Sequence, residues 1–344
     1  MIRNILLGVA AASLLASSAF AKENYKPLEH DPDTINFGII STESTQSLRE
    51  QWVPFVKDME KSLGMKVKPF FAPDYAGIIE AMRFGKVTVA WFGNKSGLEA
   101  VDRSGAEVFA QQANADGTRG YYSLILTNVD NKGANSLDDM FKQCGKGKDF
   151  GLGDPNSTSG YLVPSYYVFA KNNVDPRECF KTVRNANHET NLMAVANKQV
   201  DYASNNTEQM ERTKKRDPKA YDKIKVIWKS PRIPSDPMVY RKDLSPELKD
   251  KISAFFLAYG RLGPNAGAEL KVLHNLSGGL GPFHKSSNAQ LYPIRQLKLF
   301  KEKLAIQGNA NMSEADKKAK ISKIDEQLQE LEVLSSSSMG VAAN

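Results

Sequence analysis

The sequence predicts an α/β protein of two lobes with mixed, mostly parallel sheets, and three observations carry that expectation. Strand-like and helix-like patterns alternate over most of the chain, which calls for sheets covered by helices. The patterns fall into two sets that echo one another. After the second set the pattern leads back toward the first, so the chain crosses twice between lobes and the crossings make a hinge.

In the first set, "INFGIIS" reads as a strand, "SLREQWVPFVKDMEKSLG" as an amphipathic helix, "KVKPFFA" as a strand, "DYAGIIEAMRFG" as a helix and "KVTVAWFG" as a strand. After "EVFAQQAN" comes the strand "YYSLILTN". The second set then runs helix "SLDDMFKQ", strand "DFGLGDP", helix "STSGYLVPSYYVFAKNN", strand "FKTVRN", helix "ETNLMAVANK" and strand "QVDYASNN". The echo is clearest between "RFGKVTVAWFGN" and "VANKQVDYASNN", where Val87 and Ala90 match Val200 and Ala203. A strand over "KVIWKSPRIPSDPMVYR" and helices at "SPELKDKISAFFLAYG" and "GAELKVLHNL" return the chain to the first lobe. These readings divide the chain into a first lobe over 22–127, a second over 128–230 and a return over 231–310.

The ends have their own character. The first 21 residues combine Arg3, an apolar run from Ile5 to Leu15 and small residues at Ala19 and Ala21, the pattern of a cleavable secretory signal. The run is too short to span a membrane, and no later segment approaches about eighteen uninterrupted apolar residues. A soluble protein in the bacterial periplasm is the simplest expectation. At the other end, an amphipathic helix is expected over 311–334. Ile321, Ile324, Leu328 and Leu331 form an apolar seam on it that packs on its own chain or on a second copy to make a homodimer. The polar 335–344 reads as a disordered tail.

Composition excludes little but does exclude something. The chain carries a formal charge of +7, and +6 without Arg3, with 41% hydrophobic residues. Its lysines are scattered on amphipathic helices with no basic-aromatic stripe, so no nucleic-acid partner is expected. Four scattered histidines, no HExxH and no CxxC leave no metal or cofactor site. Cys144 and Cys179 precede "DFGLG" and "FKTVRN". In an exported protein they form a disulfide if those strands are neighbours, and are otherwise two separate thiols.

Chemistry concentrates in "GDPNSTSG". Ser157, Thr158 and Ser159 stand at the start of a helix, where free backbone N–H groups and the helix dipole favour an anion; an ordinary N-cap is the alternative. "APDYAG", "NANHET" and "NNTE" are likewise strand ends or first helical turns, and in open α/β sheets such apices point into one cleft.

With these stretches in view, the chain resembles the periplasmic phosphonate-binding proteins of phosphonate ABC importers. "NFGIISTES", "FFAPDYAGII", "GDPNSTSG", "YYVFAKNN", "HETN", "AVANKQVD", "NNTE", "VIWKSP" and "PIRQL" carry the resemblance over nearly the whole mature chain. It implies a type II periplasmic-binding-protein fold, two α/β lobes on a two-strand hinge, closing on a phosphonate and docking on permease subunits in the inner membrane. Position by position, it implies that Ser157, Thr158, Ser159, Tyr121 and His188 hold the phosphonate group. Tyr75 would lie by the substituent of 2-aminoethylphosphonate, and Glu208 and Asp236 would meet its ammonium. The chain departs from the family at Phe92, where Tyr is expected, and at Tyr122, where Trp is expected.

That constellation makes physical sense by itself. A phosphonate accepts hydrogen bonds from uncharged donors and one histidine, without an arginine clamp or a metal. Two close carboxylates repel unless a cation lies between them. Phosphate would leave them unpaired. A secreted hydrolase would also want hydroxyls, a histidine and carboxylates, yet no G-x-S-x-G elbow is present, and the hydroxyls read as a cradle rather than an activated nucleophile. Binding without catalysis is therefore the expectation. A protein for phosphite, phosphate or a phosphate ester, or a sensory lobe, is the alternative.

Overall fold

The computed structural model describes residues 27–341; the expected signal over 1–21 lies outside the described residues. The chain opens with β1 (Thr34–Ile39), α1 (Thr45–Leu63), β2 (Lys66–Phe71), α2 (Tyr75–Arg83), β3 (Val89–Trp91), α3 (Asn94–Arg103) and β4 (Ala106–Asn114). It then crosses into β5 (Ser123–Asn128), α4 (Leu137–Phe141) and β6 (Asp149–Gly153). A helical run follows, made of π-helical turns at Thr158–Leu162 and Ser165–Phe169 and a 3-10 turn at Ala170–Asn172. Next come α5 (Pro176–Cys179), β7 (Thr182–Ala186), α6 (His188–Ala196), β8 (Tyr202–Asn206), α7 (Thr207–Arg216), α8 (Pro218–Tyr221) and β9 (Ile224–Lys229). After the second crossing lie β10 (Pro237–Arg241), α9 (Pro246–Ala258), α10 (Ala266–His274), β11 (Leu280–Lys285), α11 (Tyr292–Gln307) and α12 (Glu314–Val341).

The strands form two mixed sheets, in the orders β11-β4-β10-β3-β1-β2 and β7-β6-β8-β5-β9. The parallel pairs are those built by βαβ units, β1 with β2 and β3, and β6 with β7 and β8. The strands beside the crossings, β5, β9, β10 and β4, run antiparallel to their neighbours, and β11 to β4, so the sheets are mixed but not mostly parallel as expected: a strand that returns from the other lobe enters its sheet against the βαβ direction. Helices cover both faces of the second sheet, so its strands β5, β8 and β9 each feed two cores. Ile125 and Tyr202 join Phe150 and Phe180 on one face, while Leu124, Leu126 and Ala203 join Leu192 and Val195 on the other.

The echo between lobes is visible in the turns. Gly85 at φ 71° and Lys198 at φ 59° both occupy the left-handed region, after α2 and α6 respectively. In each case the next two amides return to one carbonyl, Lys86 and Val87 to Ala81, Gln199 and Val200 to Ala194.

Two corrections concern the outer parts. "KVIWKSPRIPSDPMVYR" is two strands in different sheets, because Pro231 and Pro234 break it and Pro237 opens β10. The link between them pairs with the other crossing, Tyr121 N–H donating to Ile233 O at 3.0 Å and Ile233 N–H to Tyr121 O at 2.8 Å. The tail expected to be disordered from 335 continues α12 to Val341. Nothing in "SSSSM" breaks a helix, and Ser336 satisfies its hydroxyl on Val333 O, one turn back, at 2.8 Å. The seam residues Ile324, Leu328 and Leu331 pack on Leu299 and Ile306 of α11. Cys144 and Cys179 are joined by a disulfide at the entry ends of β6 and β7, with Cα atoms 4.2 Å apart.

Candidate functional site

The hydroxyl motif sits on a close approach that only glycines permit. A Cβ on Gly153, at the end of β6, would lie 2.5 Å from the backbone of Gly160, and one on Gly160 would lie 2.9 Å from Ser157 Oγ. The glycine pair thus seats the first helical turn on the strand end. Ser157 caps it, its Oγ accepting from Gly160 N–H at 3.0 Å. Pro164 has no N–H to offer the carbonyls of the preceding turn. Ser123 Oγ donates to Ser159 O and Ser204 Oγ to Gly160 O instead, both at 2.6 Å. A helix wound this way, with π turns beside a ligand-facing end, is a common functional device.

Asn206 then fixes the chemistry of His188. As N-cap of α7, Asn206 accepts from Gln209 N–H at 2.7 Å through Oδ1, so its amide nitrogen must face the other way. That nitrogen lies 3.1 Å from Ser159 Oγ and 3.3 Å from His188 Nε2. A donor on Nε2 makes that atom the acceptor and puts the imidazole proton on Nδ1. Burial, with the Arg212 charge adding to it, lowers the His188 pKa to about 3, so the ring is neutral. Its Nε2 also stands 3.3 Å from Ser157 Oγ.

Opposite this cradle, the first lobe and the hinge contribute a carboxylate held by an aromatic frame. Trp52 stacks on Trp91 at 5.0 Å within the core, which aims the Trp91 indole N–H at Asp236 Oδ2, 3.2 Å away. Tyr121 donates its hydroxyl to Asp236 Oδ1 at 3.0 Å, and Asn94 Nδ2 approaches the same oxygen at 3.4 Å. Burial pushes Asp236 well above the usual carboxylate range, and the charge of Glu208 pushes it further. Glu208, in the first turn of α7, is raised to about 7 by burial and pulled back by Arg212. The Glu208 charge thus makes a second negative charge on Asp236 harder to hold. Burial also raises the Tyr75 hydroxyl, at the start of α2, with the Asp154 and Asp236 charges adding to it.

All eight residues singled out for a ligand line one cavity: Tyr75, Tyr121, Ser157, Thr158, Ser159, His188, Glu208 and Asp236. Tyr121 reaches both Asp236 and Thr158, so its hydroxyl stands between the carboxylate end and the hydroxyl end. The cavity has further walls that sequence reasoning did not name, Ile40, Thr42, Trp91, Gly93, Asn206 and Arg212. Asn206 was legible as the cap before "TE"; Arg212 hides in the basic stretch "ERTKKR". Phe92 is fully buried in the core and away from the cavity, and Tyr122 sits under the Lys229 ammonium, 3.7 Å above its ring. Among the described residues, no group of three His, Cys, Asp or Glu side chains could hold a metal, and no helix is long and apolar enough to cross a membrane.

The lobes meet around the cavity. Thr158 Oγ1 accepts from Lys95 N–H at 2.8 Å and Asp154 from Tyr75 N–H at 3.3 Å. The loop after β1 grips α6, with His188 N–H donating to Thr42 O at 3.1 Å and Ser44 N–H to Glu189 Oε2 at 2.7 Å.

Comparisons with known proteins show the family. A family model described as the phosphonate periplasmic substrate-binding protein of ABC transporters matches residues 37–291. The phosphonates-binding periplasmic protein of Escherichia coli is 53% identical over 94% of this chain and 90% of its own length. A phosphate-import protein of Mycolicibacterium smegmatis is 30% identical over 73% of this chain and 80% of its own length. The crystal structure of a binding protein component of an ABC phosphonate transporter from Pseudomonas aeruginosa is 52% identical and superposes with a TM-score of 0.85, covering 90% of this chain and all of the other. A Prochlorococcus marinus protein solved with methylphosphonate shares the fold at 22% identity and a TM-score of 0.68, covering 79% of this chain and all of its own.

Proposed function

The chain belongs to the periplasmic substrate-binding proteins of phosphonate ABC transporters, and from that membership we propose that it captures 2-aminoethylphosphonate and related alkylphosphonates by cleft closure and hands them to the transporter's permease. One observation supports this reading above the rest. A hydroxyl cradle at a helix start and two carboxylates, Asp236 buried and Glu208 half-buried, line the same cavity. A ligand with a phosphonate at one end and an ammonium at the other matches both.

In this reading Ser157, Thr158, Ser159 and the first-turn amides hold the phosphonate oxygens, with His188 beside them as a neutral group. Glu208 and Asp236 share the ammonium, which replaces the proton they would otherwise share. Tyr75 packs on the carbon linker, and Tyr121, between Thr158 and Asp236, joins the phosphonate donors while orienting Asp236. The protein binds and releases its ligand unchanged.

Phosphate is the second reading, favoured by the phosphate-import relative. Calorimetry on the refolded mature protein separates the two, since refolding removes any ligand that copurifies. 2-Aminoethylphosphonate is expected to bind far more tightly than methylphosphonate, phosphite or phosphate. Tighter binding of phosphate or phosphite would leave the fold in place and remove the roles given to Glu208 and Asp236.

A further inference from the structure

Arg212 is the cation in the cavity wall, and nothing above gives it a ligand role. It is 5% exposed and lies one helical turn after Glu208 on α7. Its Nη2 donates to Gln209 Oε1 at 2.8 Å, and its Nε pairs with the carboxylate of Glu43. Glu43 is 4% exposed and comes from the opposite lobe, in the loop between β1 and α1. Gln51 Nε2 at 2.6 Å and Arg216 Nη1 at 3.6 Å hold the same carboxylate. Arg212 lines the cavity whereas Glu43 stands behind the wall, so the ion pair is a dipole with its positive end toward the cleft.

We propose that Arg212 is a further specificity-determining residue of the cleft, a cation that Glu43 positions from the opposite lobe on closure to stabilise the ligand's oxyanion end and the negative charge of the carboxylate pair. The proposal rests on the phosphonate reading. A lone buried cation would be costly, and a charge partner 169 positions earlier in the chain supplies compensation only when the lobes meet. The groups facing Arg212 are Glu43 from the first lobe, His188 on α6, Glu208 and Arg216 on α7, Tyr75 on α2, and Tyr121 and Asp236 on the crossings. Its charge lowers Glu208 and Asp236 against the burial that raises them, and it helps keep His188 neutral.

The test compares wild type with Arg212→Lys and with the double variant Glu43→Gln/Arg212→Met, which removes the pair without leaving one charge buried. Circular dichroism melts establish that each is folded. Isothermal titration with 2-aminoethylphosphonate and methylphosphonate is then run from pH 5.5 to 9. The double variant is expected to lose about tenfold or more for methylphosphonate at pH 8, and its acid limb of 2-aminoethylphosphonate binding is expected to move to higher pH. Arg212→Lys should keep that limb near its wild-type position. Equal losses for both ligands with an unmoved limb would overturn the proposal and leave the pair as a fastener between lobes. If wild type binds neither phosphonate, the phosphonate reading itself fails, and that outcome is seen before any variant is measured.

Discussion

The two ends of the cavity are built by opposite means. At the hydroxyl end, two glycines bring a helix start onto a strand end, and every hydroxyl already has a neutral partner, Gly160 N–H on Ser157, Lys95 N–H on Thr158 and the Asn206 amide on Ser159. At the carboxylate end, Glu208 of the second lobe faces Asp236 of the hinge; burial drives both upward in pKa, and the Glu208 charge drives Asp236 further. The hydroxyls of the first end are satisfied by neutral groups. The second is left under electrostatic tension that a cation would relieve. Affinity for oxyanions in general should therefore reside at the first end, and discrimination among them at the second.

The sharpest way to break that division is Gly153→Ala. The new Cβ would meet the Gly160 backbone at 2.5 Å. It should cost about 1–3 kcal/mol of stability and abolish measurable binding of every ligand, phosphate included; retained affinity for any of them would show that the seat of the cradle is not needed. Next, Glu208→Ala should cost 2-aminoethylphosphonate about 10- to 100-fold while sparing methylphosphonate, read by titration calorimetry, and an equal loss for both would remove the ammonium role. Thr158→Val should instead weaken all phosphonates alike, by about tenfold. Unchanged affinity there would sink the cradle. Acidification should mimic the Glu208 variant in milder form. With Glu208 raised to about 7, the pair gains protons as pH falls through 7, so the aminophosphonate loses affinity between pH 8 and 5.5 faster than methylphosphonate does. The smallest effect on binding belongs to the disulfide, which ties the entry ends of β6 and β7 while the cradle occupies the exit of β6. Serine at both Cys144 and Cys179 should lower stability by about 3 kcal/mol and move affinity by less than about twofold.

What could be read from the sequence follows the same contrast. Motifs whose residue types are dictated by local geometry announce themselves, as "GDPNSTSG" and "NNTE" do, because a cap or a glycine contact leaves little choice of residue. The βαβ alternation was legible for the same reason, through apolar runs between turn residues. Elements that depend on distant partners were not. Helix α3, "NKSGLEAVDR", starts on Gly93 with no side-chain cap, and its buried Leu98 and Ala100 make a faint stripe. Strand β11, broken by glycine and proline, has no alternation to announce it and is defined by its pairing with β4. The π winding around Pro164 depends on Ser123 and Ser204 from other strands. Arg212 looks like one more solvated charge on a basic helix until Glu43 arrives from the other lobe.

The central claim is that a ligand ammonium displaces a proton shared by Glu208 and Asp236 while the cradle holds the oxyanion. Titration calorimetry at pH 7 in two buffers of different ionisation enthalpy measures that displacement directly. The account predicts proton release on binding 2-aminoethylphosphonate and a distinctly smaller release, or uptake, on binding methylphosphonate. Equal proton balances for the two ligands, with similar affinities, would contradict it.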